Sequence, residues 1–384
     1  MGAGGPFAAQ HADLARLGEA SRRRSLTGEA GADFSSNDYL GLAGSPLLVA
    51  AVTEALERGV PVGAGGSRLL RGNHAEHEAL ELEAARFFGS ERALFFSSGF
   101  AANSALFSTL PQRGDLVVHD ELIHASAHEG MRLGRAEHIA VRHNHAEAFD
   151  AAVRAWRRQG GLGRVWLAAE SLYSMDGDRA PLDDLAEVAA RHEGVLLIDE
   201  AHATGVFGPQ GRGLAAHLDG AENVVTLRTC GKALGCEGAL VCAPAVVADF
   251  LVNRGRGFIY STAPSPLIAA AVRASLRIVA AGDDLRAALW RRVRLAEGVL
   301  GPLGARVSGS QILPLIIGED GEAMARADAL QAAGFDIRGI RPPTVTPGTA
   351  RLRFAITRNV SEDQITALGD TLRITMREGA VRPA

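Results

Sequence analysis

Two side chains of opposite charge follow two apolar segments of the sequence. Residues 195–198 form a continuous apolar run, which is typical of a buried parallel strand, and Asp199 comes directly after them. A second predicted strand, residues 224–227, is followed a few residues later by Lys232. Because open α/β sheets bind ligands at the carboxyl ends of their strands, we expect this acid and this amine to face the same crevice.

A lysine beside a buried acid is most often a simple ion pair. The same residue types also suit pyridoxal phosphate, which needs a lysine for covalent attachment, a carboxylate that keeps the pyridine nitrogen protonated, and donors for its phosphate. Lys232 and Asp199 would fill the first two roles, and His202 could reach the phenolic oxygen of the ring. Taken alone, these residues are consistent with both interpretations.

The segment SSGFAAN, residues 97–103, is a candidate for the phosphate donors. It follows a predicted strand at residues 93–96 and opens a predicted helix. Small residues at such a junction leave backbone N–H groups exposed at a helix N-terminus, where anions bind favourably. An ordinary strand-to-helix turn has the same composition, so the motif alone supports both interpretations.

Histidine and cysteine spacings offer little support for a metal site. His124 and His128 are four residues apart and would share a helix face, but the glutamate of an HExxH motif is missing. Stacking of His124 on a cofactor ring is a further alternative. Cys230, Cys236 and Cys242 lack the closely spaced pairs of structural zinc sites, so we interpret them as buried thiols and predict no metal.

The composition indicates a globular protein of a reducing compartment. Of 384 residues 47% are hydrophobic, and 40 basic against 44 acidic residues give a net charge of −4, which does not favour nucleic acid as a partner. An odd number of cysteines fits reduced thiols. The N-terminus lacks a signal-peptide core, and the most apolar helical segment, residues 266–281, is too short to span a membrane. We predict a cytoplasmic location and no membrane association.

Strands and helices alternate through most of the chain, which predicts an α/β fold with a mostly parallel sheet flanked by helices. We divide the chain into an N-terminal arm at 1–45, a large domain at 46–285 and a smaller α+β domain at 286–384. The glycine-rich residues 63–68 do not form a dinucleotide-binding loop, because no strand precedes them and Arg68 replaces the third glycine.

Polar residues outside the predicted crevice are further candidates for ligand binding. Arg351 and Arg353 alternate within a predicted strand and share one face, where they would clamp a substrate carboxylate or form surface ion pairs. The surface pairing is the commoner arrangement. Asn37 lies in an Asn-Asp pair, which usually forms a turn, although its amide could also hold a carboxylate.

Nearly the whole chain resembles the α-oxoamine synthases, a family of fold-type I pyridoxal phosphate enzymes. The resemblance rests on a series of motifs in the family order: SSNDYLGL, GAGGSRLLRGNHAEHEALE, SSGFAAN, HASAH, SMDGD, DEAHATG, TCGKALG, YST and TARLR. It implies a fold-type I transferase with a large domain and a smaller C-terminal α+β domain. It also implies a homodimer with active sites at the subunit interface.

The resemblance implies roles for the residues singled out above. Lys232 would bind the cofactor covalently, Asp199 would pair with the pyridine nitrogen, His202 would contact the phenolic oxygen and His124 would stack on the ring. All four positions match the family motifs.

The phosphate and substrate contacts are implied in the same way. Gly99 and Phe100 would offer backbone N–H groups and Thr229 a hydroxyl to the phosphate, and Ser261 and Thr262 would reach in from the second subunit. Three further residues match family positions near the cofactor or the amino-acid carboxylate, namely Ser174, Arg353 and Asn37.

The motifs IRPPTV and GTARLR are most similar to the branch of the family that condenses L-alanine with a pimeloyl thioester, carried on coenzyme A or on an acyl carrier protein. A glycine-using member such as a 2-amino-3-ketobutyrate ligase is the main alternative. A metal-dependent hydrolase built on Asp199, His202, His124 and His128 is a distant one, and a non-catalytic protein that keeps the fold is another.

Overall fold

A computed structural model describes residues 5–380, and the side chains of residues 5–375. The strands, in chain order, are β1 (Ala32–Asp33), β2 (Arg92–Phe96), β3 (Leu116–Asp120), β4 (Glu137–Val141), β5 (Val165–Glu170), β6 (Val195–Asp199), β7 (Val224–Thr229), β8 (Ala239–Ala243), β9 (Ile312–Gly318), β10 (Phe335–Asp336), β11 (Gly339–Ile340) and β12 (Ala350–Ala355). The helices are α1 (Ala8–Glu19), α2 (Pro46–Glu57), α3 (Ala75–Phe88), α4 (Gly99–Thr109), α5 (Ala125–Leu133), α6 (Ala146–Arg158), α7 (Leu182–Arg191), α8 (Ala245–Arg254), α9 (Arg256–Ile259), α10 (Pro266–Ala281), α11 (Asp283–Leu300), α12 (Asp320–Ala332) and α13 (Glu362–Ala380).

The chain divides into two compact units. The larger comprises Asn37–Ser174 and Asp178–Ala287. The smaller contains the described residues up to Ser36, the segment Met175–Gly177 and the described residues from Ala288 onward. Within the described residues, the larger unit holds a seven-stranded sheet of order β2-β8-β7-β6-β5-β3-β4. Every strand but β8 runs in the same direction. The prediction of an α/β fold with a mostly parallel sheet is therefore confirmed.

Apolar side chains cover both faces of this sheet, which explains why its strands are continuous apolar runs rather than alternating ones. Leu197 and Leu227 pack on one face with helices α4 and α5, whereas Leu196, Ile198 and Val224 pack on the other face with α6 and α7. Because both faces are covered by helices, polar groups for chemistry are left to the strand ends and the loops that follow them.

The smaller unit contains an antiparallel sheet of order β11-β12-β9 and a short parallel pair of β1 and β10. Arg351 and Arg353 lie on β12 and are buried, so the surface ion pairs that the sequence favoured are wrong for this strand. Arg351 instead donates to Asp176 Oδ1 at 2.9 Å. This contact ties the segment Met175–Gly177 to β12 within the smaller unit.

Among residues 5–380, none of the helices combines the length and the apolar character that crossing a membrane requires.

Three imidazoles cluster where β3, β4 and α5 meet. The His119 ring lies 5.0 Å from that of His128 and 5.9 Å from that of His138, measured between centroids. Burial, reinforced by the charge of His128, lowers the pKa of His119 from 6.5 to about 4, although its hydrogen bond to the carbonyl of Asp120 opposes this shift. His119 is therefore neutral in the folded protein at neutral pH.

This neutral histidine makes stability dependent on pH. The unfolded chain binds a proton at His119 below pH 6.5, but the folded chain does so only near pH 4, so stability falls as the pH drops through this window. The shift corresponds to at most about 3 kcal/mol. In His119→Gln, the free energy of unfolding should depend less steeply on pH between pH 6.5 and about pH 4 than in the wild type. Urea titration at several pH values measures this dependence. His11→Gln is the control, because His11 is exposed. If the free energy of unfolding of His119→Gln depended on pH as steeply as that of the wild type, His119 would not be the source of this pH dependence.

Candidate active site

The carboxyl ends of β5, β6 and β7 bring the predicted residues together. Asp199 ends β6, and its carboxylate is held on both oxygens: Oδ1 accepts from the backbone N–H of Ala201 at 2.9 Å, and Oδ2 from Nδ2 of Asn103 at 2.7 Å. The residue is about nine-tenths buried. A carboxylate fixed this way has a defined direction in which to hold a proton on a ligand nitrogen.

Lys232 is the only lysine in the sequence. It lies in a tight loop after β7 that is closed by the hydrogen bonds from Gly235 N to Lys232 O and from Cys236 N to Cys230 O, both 2.8 Å. Burial has the largest effect on the pKa of both His124 and Glu170; beside it, the charge of Asp199 acts to raise each pKa and the charge of Lys232 acts to lower it. The amine and the acid therefore act on the same two side chains, as the sequence predicted for residues that share one crevice.

His124 precedes the helix, which corrects the expectation from the four-residue spacing that it shares a helix face with His128. It is the N-cap of α5, and its Nδ1 accepts from the backbone N–H of Ser126 at 3.2 Å. Burial, together with the charge of Lys232, lowers its pKa against the opposing effect of Asp199. The ring is therefore neutral at neutral pH and retains a solvent-exposed surface, which suits stacking on an aromatic ligand. His128 packs against His119 instead.

His202 is held by a residue that the sequence analysis missed. Its Nδ1 lies 2.6 Å from the hydroxyl of Tyr39, and this hydroxyl donates to Oδ1 of Asn37 at 3.0 Å. Tyr39 and His202 are both buried. Asn37 therefore supports His202 through Tyr39. The presence of Tyr39 in the SSNDYLGL motif was the available signal.

The N-terminus of α4 lies beside Thr229. Ser98 caps the helix by accepting from Ala101 N at 3.1 Å, while Gly99 and Phe100 are the first helical residues, whose N–H groups have no acceptor within α4. A Cβ on Gly99 would sit 3.6 Å from Oγ1 of Thr229. Two backbone donors and a hydroxyl therefore meet at one point, the donor set that a phosphate requires.

Helix α4 links this cradle to Asp199. Gly99 begins the helix, and Asn103, the partner of Asp199, lies one turn further on, about 6 Å along the axis. The spacing could have been read from SSGFAAN, but the contact between Asn103 and Asp199 could not.

A second carboxyl group lies beside Asp199. Glu170 ends β5 and is the cross-strand partner of Asp199, so the two side chains project from the same face of the sheet. Glu170 is fully buried, and burial together with the charge of Asp199 raises its pKa well above the usual value. Glu170 therefore takes up a proton more readily than an exposed glutamate does. Ser174, a predicted site residue, donates its backbone N–H to Glu170 Oε2 at 3.1 Å.

The opposite face of the same strand tips carries a buried ion pair, which we name the brace. Glu200 directly follows Asp199, and Arg228 directly precedes Thr229. Nη1 of Arg228 lies 3.3 Å from Oε2 of Glu200, and its Nη2 lies 2.7 Å from Oδ1 of Asp219. Both partners of the Glu200 pair are completely buried, and Arg228 also stacks on Phe88 at 4.1 Å. The brace fixes the distance between β6 and β7.

The remaining predicted residues lie outside this cluster. Ser261 and Thr262 line a small cavity with Arg68 and Ser97, and Thr262 is exposed to solvent. The segment that follows them is tied to the glycine-rich loop by the hydrogen bond from Ala263 N to Gly66 O. Arg353 belongs to the smaller unit. Among the side chains of residues 5–375 there is no group of three or more His, Cys, Asp or Glu arranged to hold a metal ion.

The residues present fit pyridoxal phosphate. A directed carboxylate, a lysine amine, a neutral imidazole and an N–H cradle for phosphate occur at one edge of the sheet, and their chemical types match the pyridine nitrogen, the aldehyde, the ring face and the phosphate of that molecule. Fold and site together define a fold-type I pyridoxal phosphate enzyme.

Residues 30–372 match the family model described as aminotransferase class I and II, and the chain belongs to this family. It is similar to 8-amino-7-oxononanoate synthase from Geobacter sulfurreducens, with 42% identity over 86% of this chain and 85% of that protein. It is also similar to a protein of Geobacillus kaustophilus named as a putative 8-amino-7-oxononanoate synthase, with 38% identity over 95% and 94% of the two chains.

Solved structures show the same fold. The chain superposes on serine palmitoyltransferase from S. paucimobilis with bound PLP at a TM-score of 0.86, 27% identity and 98% coverage of both chains. It superposes on 8-amino-7-oxononanoate synthase from Francisella tularensis at a TM-score of 0.77, with 27% identity and coverage of 91% and 99%. The α-oxoamine synthase resemblance predicted from the motifs is therefore confirmed.

Proposed function

We propose that the protein is an acyltransferase that condenses L-alanine with a pimeloyl thioester and releases 8-amino-7-oxononanoate, CO2 and the free thiol, a step in biotin synthesis. The observation that carries this proposal is the pairing of about 40% identity to 8-amino-7-oxononanoate synthases over most of the chain with a complete set of cofactor-binding residue types at the sheet edge. The reaction class follows from the site, and the substrate pair follows from the relatives.

Pyridoxal phosphate, when bound, supplies an aldehyde that reacts with amines and a ring that accepts the electron pair left on an amino-acid α-carbon. Asp199 would hold the proton on the pyridine nitrogen, because its carboxylate is anchored by Ala201 and Asn103. His202 contacts the phenolic oxygen and is itself held by Tyr39. Ser174 lies near the cofactor and the substrate.

Lys232 binds the cofactor and acts as the base. Its Nζ takes the α-proton of alanine and later returns a proton to the same carbon. Between these two transfers the α-carbon forms a bond to the thioester carbonyl carbon, the C–S bond breaks with the thiol as leaving group, and the original carboxyl group departs as CO2. His124, neutral and protonated on Nε2, stacks on the ring and donates toward the thioester carbonyl.

The other predicted residues bind and orient. Gly99, Phe100 and Thr229 hold the phosphate, and Arg353 and Asn37 hold the alanine carboxylate, so that the α-hydrogen is presented to Lys232. These assignments rest on the donor types and on the matching family motifs.

We further propose that the protein acts as a cytoplasmic homodimer in which Ser261 and Thr262 complete the partner's phosphate site. Thr262 is exposed within one chain, and the exposed side chains include large apolar ones in the neighbouring motifs, Leu70, Phe100 and Tyr260. A second copy of the chain would cover such residues.

The test of the function is a matrix of substrates. Purified protein loaded with pyridoxal phosphate is given alanine, glycine or serine together with pimeloyl-, acetyl- or palmitoyl-coenzyme A, and thiol release and product mass are measured. We expect alanine with pimeloyl-coenzyme A to exceed the other pairs by at least about ten- to a hundredfold in kcat/KM, since even the single methyl group that separates alanine from glycine discriminates on that scale. A preference for glycine with acetyl-coenzyme A, or for serine with palmitoyl-coenzyme A, would overturn the proposal.

A further inference from the structure

Two buried side chains connect Asp199 to His124. Asn103 and Ser126 are 4% and 0% exposed. Nδ2 of Asn103 lies 2.7 Å from Oδ2 of Asp199 and 3.0 Å from Oγ of Ser126, and this Oγ lies 2.7 Å from Nδ1 of His124. We name this series of contacts the Asn103–Ser126 relay. It joins helix α4, helix α5 and strand β6.

The direction of the hydrogen bonds in the relay follows from the donors available. The amide nitrogen of Asn103 has two protons and donates one to Asp199 and the other to Ser126. Ser126 Oγ accepts the hydrogen bond from Asn103, so its own hydroxyl hydrogen is available to donate to Nδ1 of His124. Nδ1 also accepts from the backbone N–H of Ser126 at 3.2 Å, so it carries no proton and the proton of the neutral imidazole is on Nε2. The contacts therefore specify one tautomer.

On the basis of the function proposed above, we infer that Asn103 and Ser126 are positioning residues that lock the Asp199 carboxylate and the His124 imidazole to each other. The carboxylate that pairs with the pyridine nitrogen and the imidazole that stacks on the cofactor ring are then oriented by one series of hydrogen bonds rather than independently. Loss of either relay residue should disturb both groups, although Ser126 makes no hydrogen bond to Asp199 and Asn103 makes none to His124.

The expected losses follow from what each substitution leaves behind. Ser126→Ala leaves one Asn103 proton buried without its acceptor and removes the hydroxyl that favours neutral His124. Asn103→Leu, of similar size, removes the side-chain donor from Asp199. A buried hydrogen bond of this kind corresponds to about five- to tenfold in a binding constant.

The first arm of the experiment uses the protein without cofactor. In protein labelled with ¹⁵N-histidine, the imidazole signals are followed against pH by NMR, with His124 assigned by its loss in His124→Gln. We expect the wild type to show the Nε2–H tautomer. In Ser126→Ala the pH of His124 protonation should rise, and Ser126→Thr, which keeps a hydroxyl, should restore it. Unchanged tautomer and titration in Ser126→Ala would overturn the inference.

The second arm measures the affinity for pyridoxal phosphate by equilibrium dialysis. We expect binding to weaken about five- to tenfold in Ser126→Ala and in Asn103→Leu, and the double variant to lose less than the product of the two. Ser108→Ala is the matched control. Ser108 lies on α4, as Asn103 does, but its hydroxyl donates only to backbone carbonyls of the same helix. Purely multiplicative losses would show two independent contacts and would overturn the relay.

The two arms separate failure of the relay from failure of the proposed function. If the wild type does not bind pyridoxal phosphate, the function is wrong, and the NMR arm still decides whether Ser126 sets the state of His124. If the wild type binds and the variants bind equally well, the function stands and the inference fails. Melting temperatures of the cofactor-free variants confirm folding, and if Asn103→Leu does not fold, the comparison of Ser126→Ala with Ser126→Thr decides alone.

Discussion

Lys232→Ala should abolish turnover and the covalent attachment of pyridoxal phosphate. Because Lys232 is the only lysine in the chain, borohydride reduction of the loaded wild type should add one cofactor per chain at this residue, located by peptide mass. The variant should add none there and should lose activity by at least about a thousandfold, since both the anchor and the general base are removed.

Lys232→Arg is the matched control for this prediction. It keeps a cation at the end of β7, but a guanidinium is too weakly nucleophilic to react with the aldehyde at neutral pH. We expect Lys232→Arg to retain weak, reversible cofactor binding without covalent attachment or turnover. Activity near the wild-type level in either variant would remove Lys232 from the mechanism.

Arg228→Met should destabilise the fold by about 3–5 kcal/mol, because it leaves the buried carboxylate of Glu200 without a cation. Asp219 would keep only its longer contact with Arg212, at 3.5 Å. Burial opposes the charge of Arg228, yet these two acids raise its pKa, so the guanidinium is charged in the folded protein. The free energy of unfolding from urea titration measures the loss.

Arg277→Met provides the comparison for the brace. Arg277 also pairs with a carboxylate, Glu83 Oε1 at 2.7 Å, but its side chain is 64% exposed. Exposed pairs contribute about 0–1 kcal/mol, so this variant should remain close to the wild type. A loss in Arg228→Met no larger than in Arg277→Met would show that the brace does not stabilise the strand tips.

The central strands could be predicted from the sequence, but not all of their neighbours. Continuous apolar runs identified β6 and β7, because strands covered on both faces have no alternation. The strand β4 was not predicted: it lies at the sheet edge, and Glu137 and His138 are exposed. The antiparallel direction of β8 had a signal, since the nine residues between β7 and β8 are too few for a parallel crossover.

For the site, the sequence predicts the charged residues that follow apolar strands and misses the residues that hydrogen-bond to the site residues. Asp199 and Lys232 stand out because a charge follows an apolar run. Asn103, Ser126 and Tyr39 do not, because their roles depend on contacts across 96, 23 and 163 residues of chain with Asp199, Asn103 and His202. A local sequence pattern does not predict contacts between residues so far apart in the chain.

The position of His124 shows how a spacing can mislead. Its separation from His128 fits one helical turn, but the helix begins one residue later, at Ala125, and the imidazole serves as the cap. Helix ends are set by which side chain satisfies the first N–H groups. A histidine is an uncommon cap, so the boundary was not evident from residue type.

The brace also bears on how this site can change during evolution. Asp199 and Thr229 adjoin Glu200 and Arg228 in the chain, so any drift in the spacing of the two strand tips would pull apart opposite charges in a water-free interior. Such drift is costly and should be selected against. Divergence in acyl-chain preference should therefore accumulate in the loops beyond the tips, while the tips themselves vary little among descendants of this sequence.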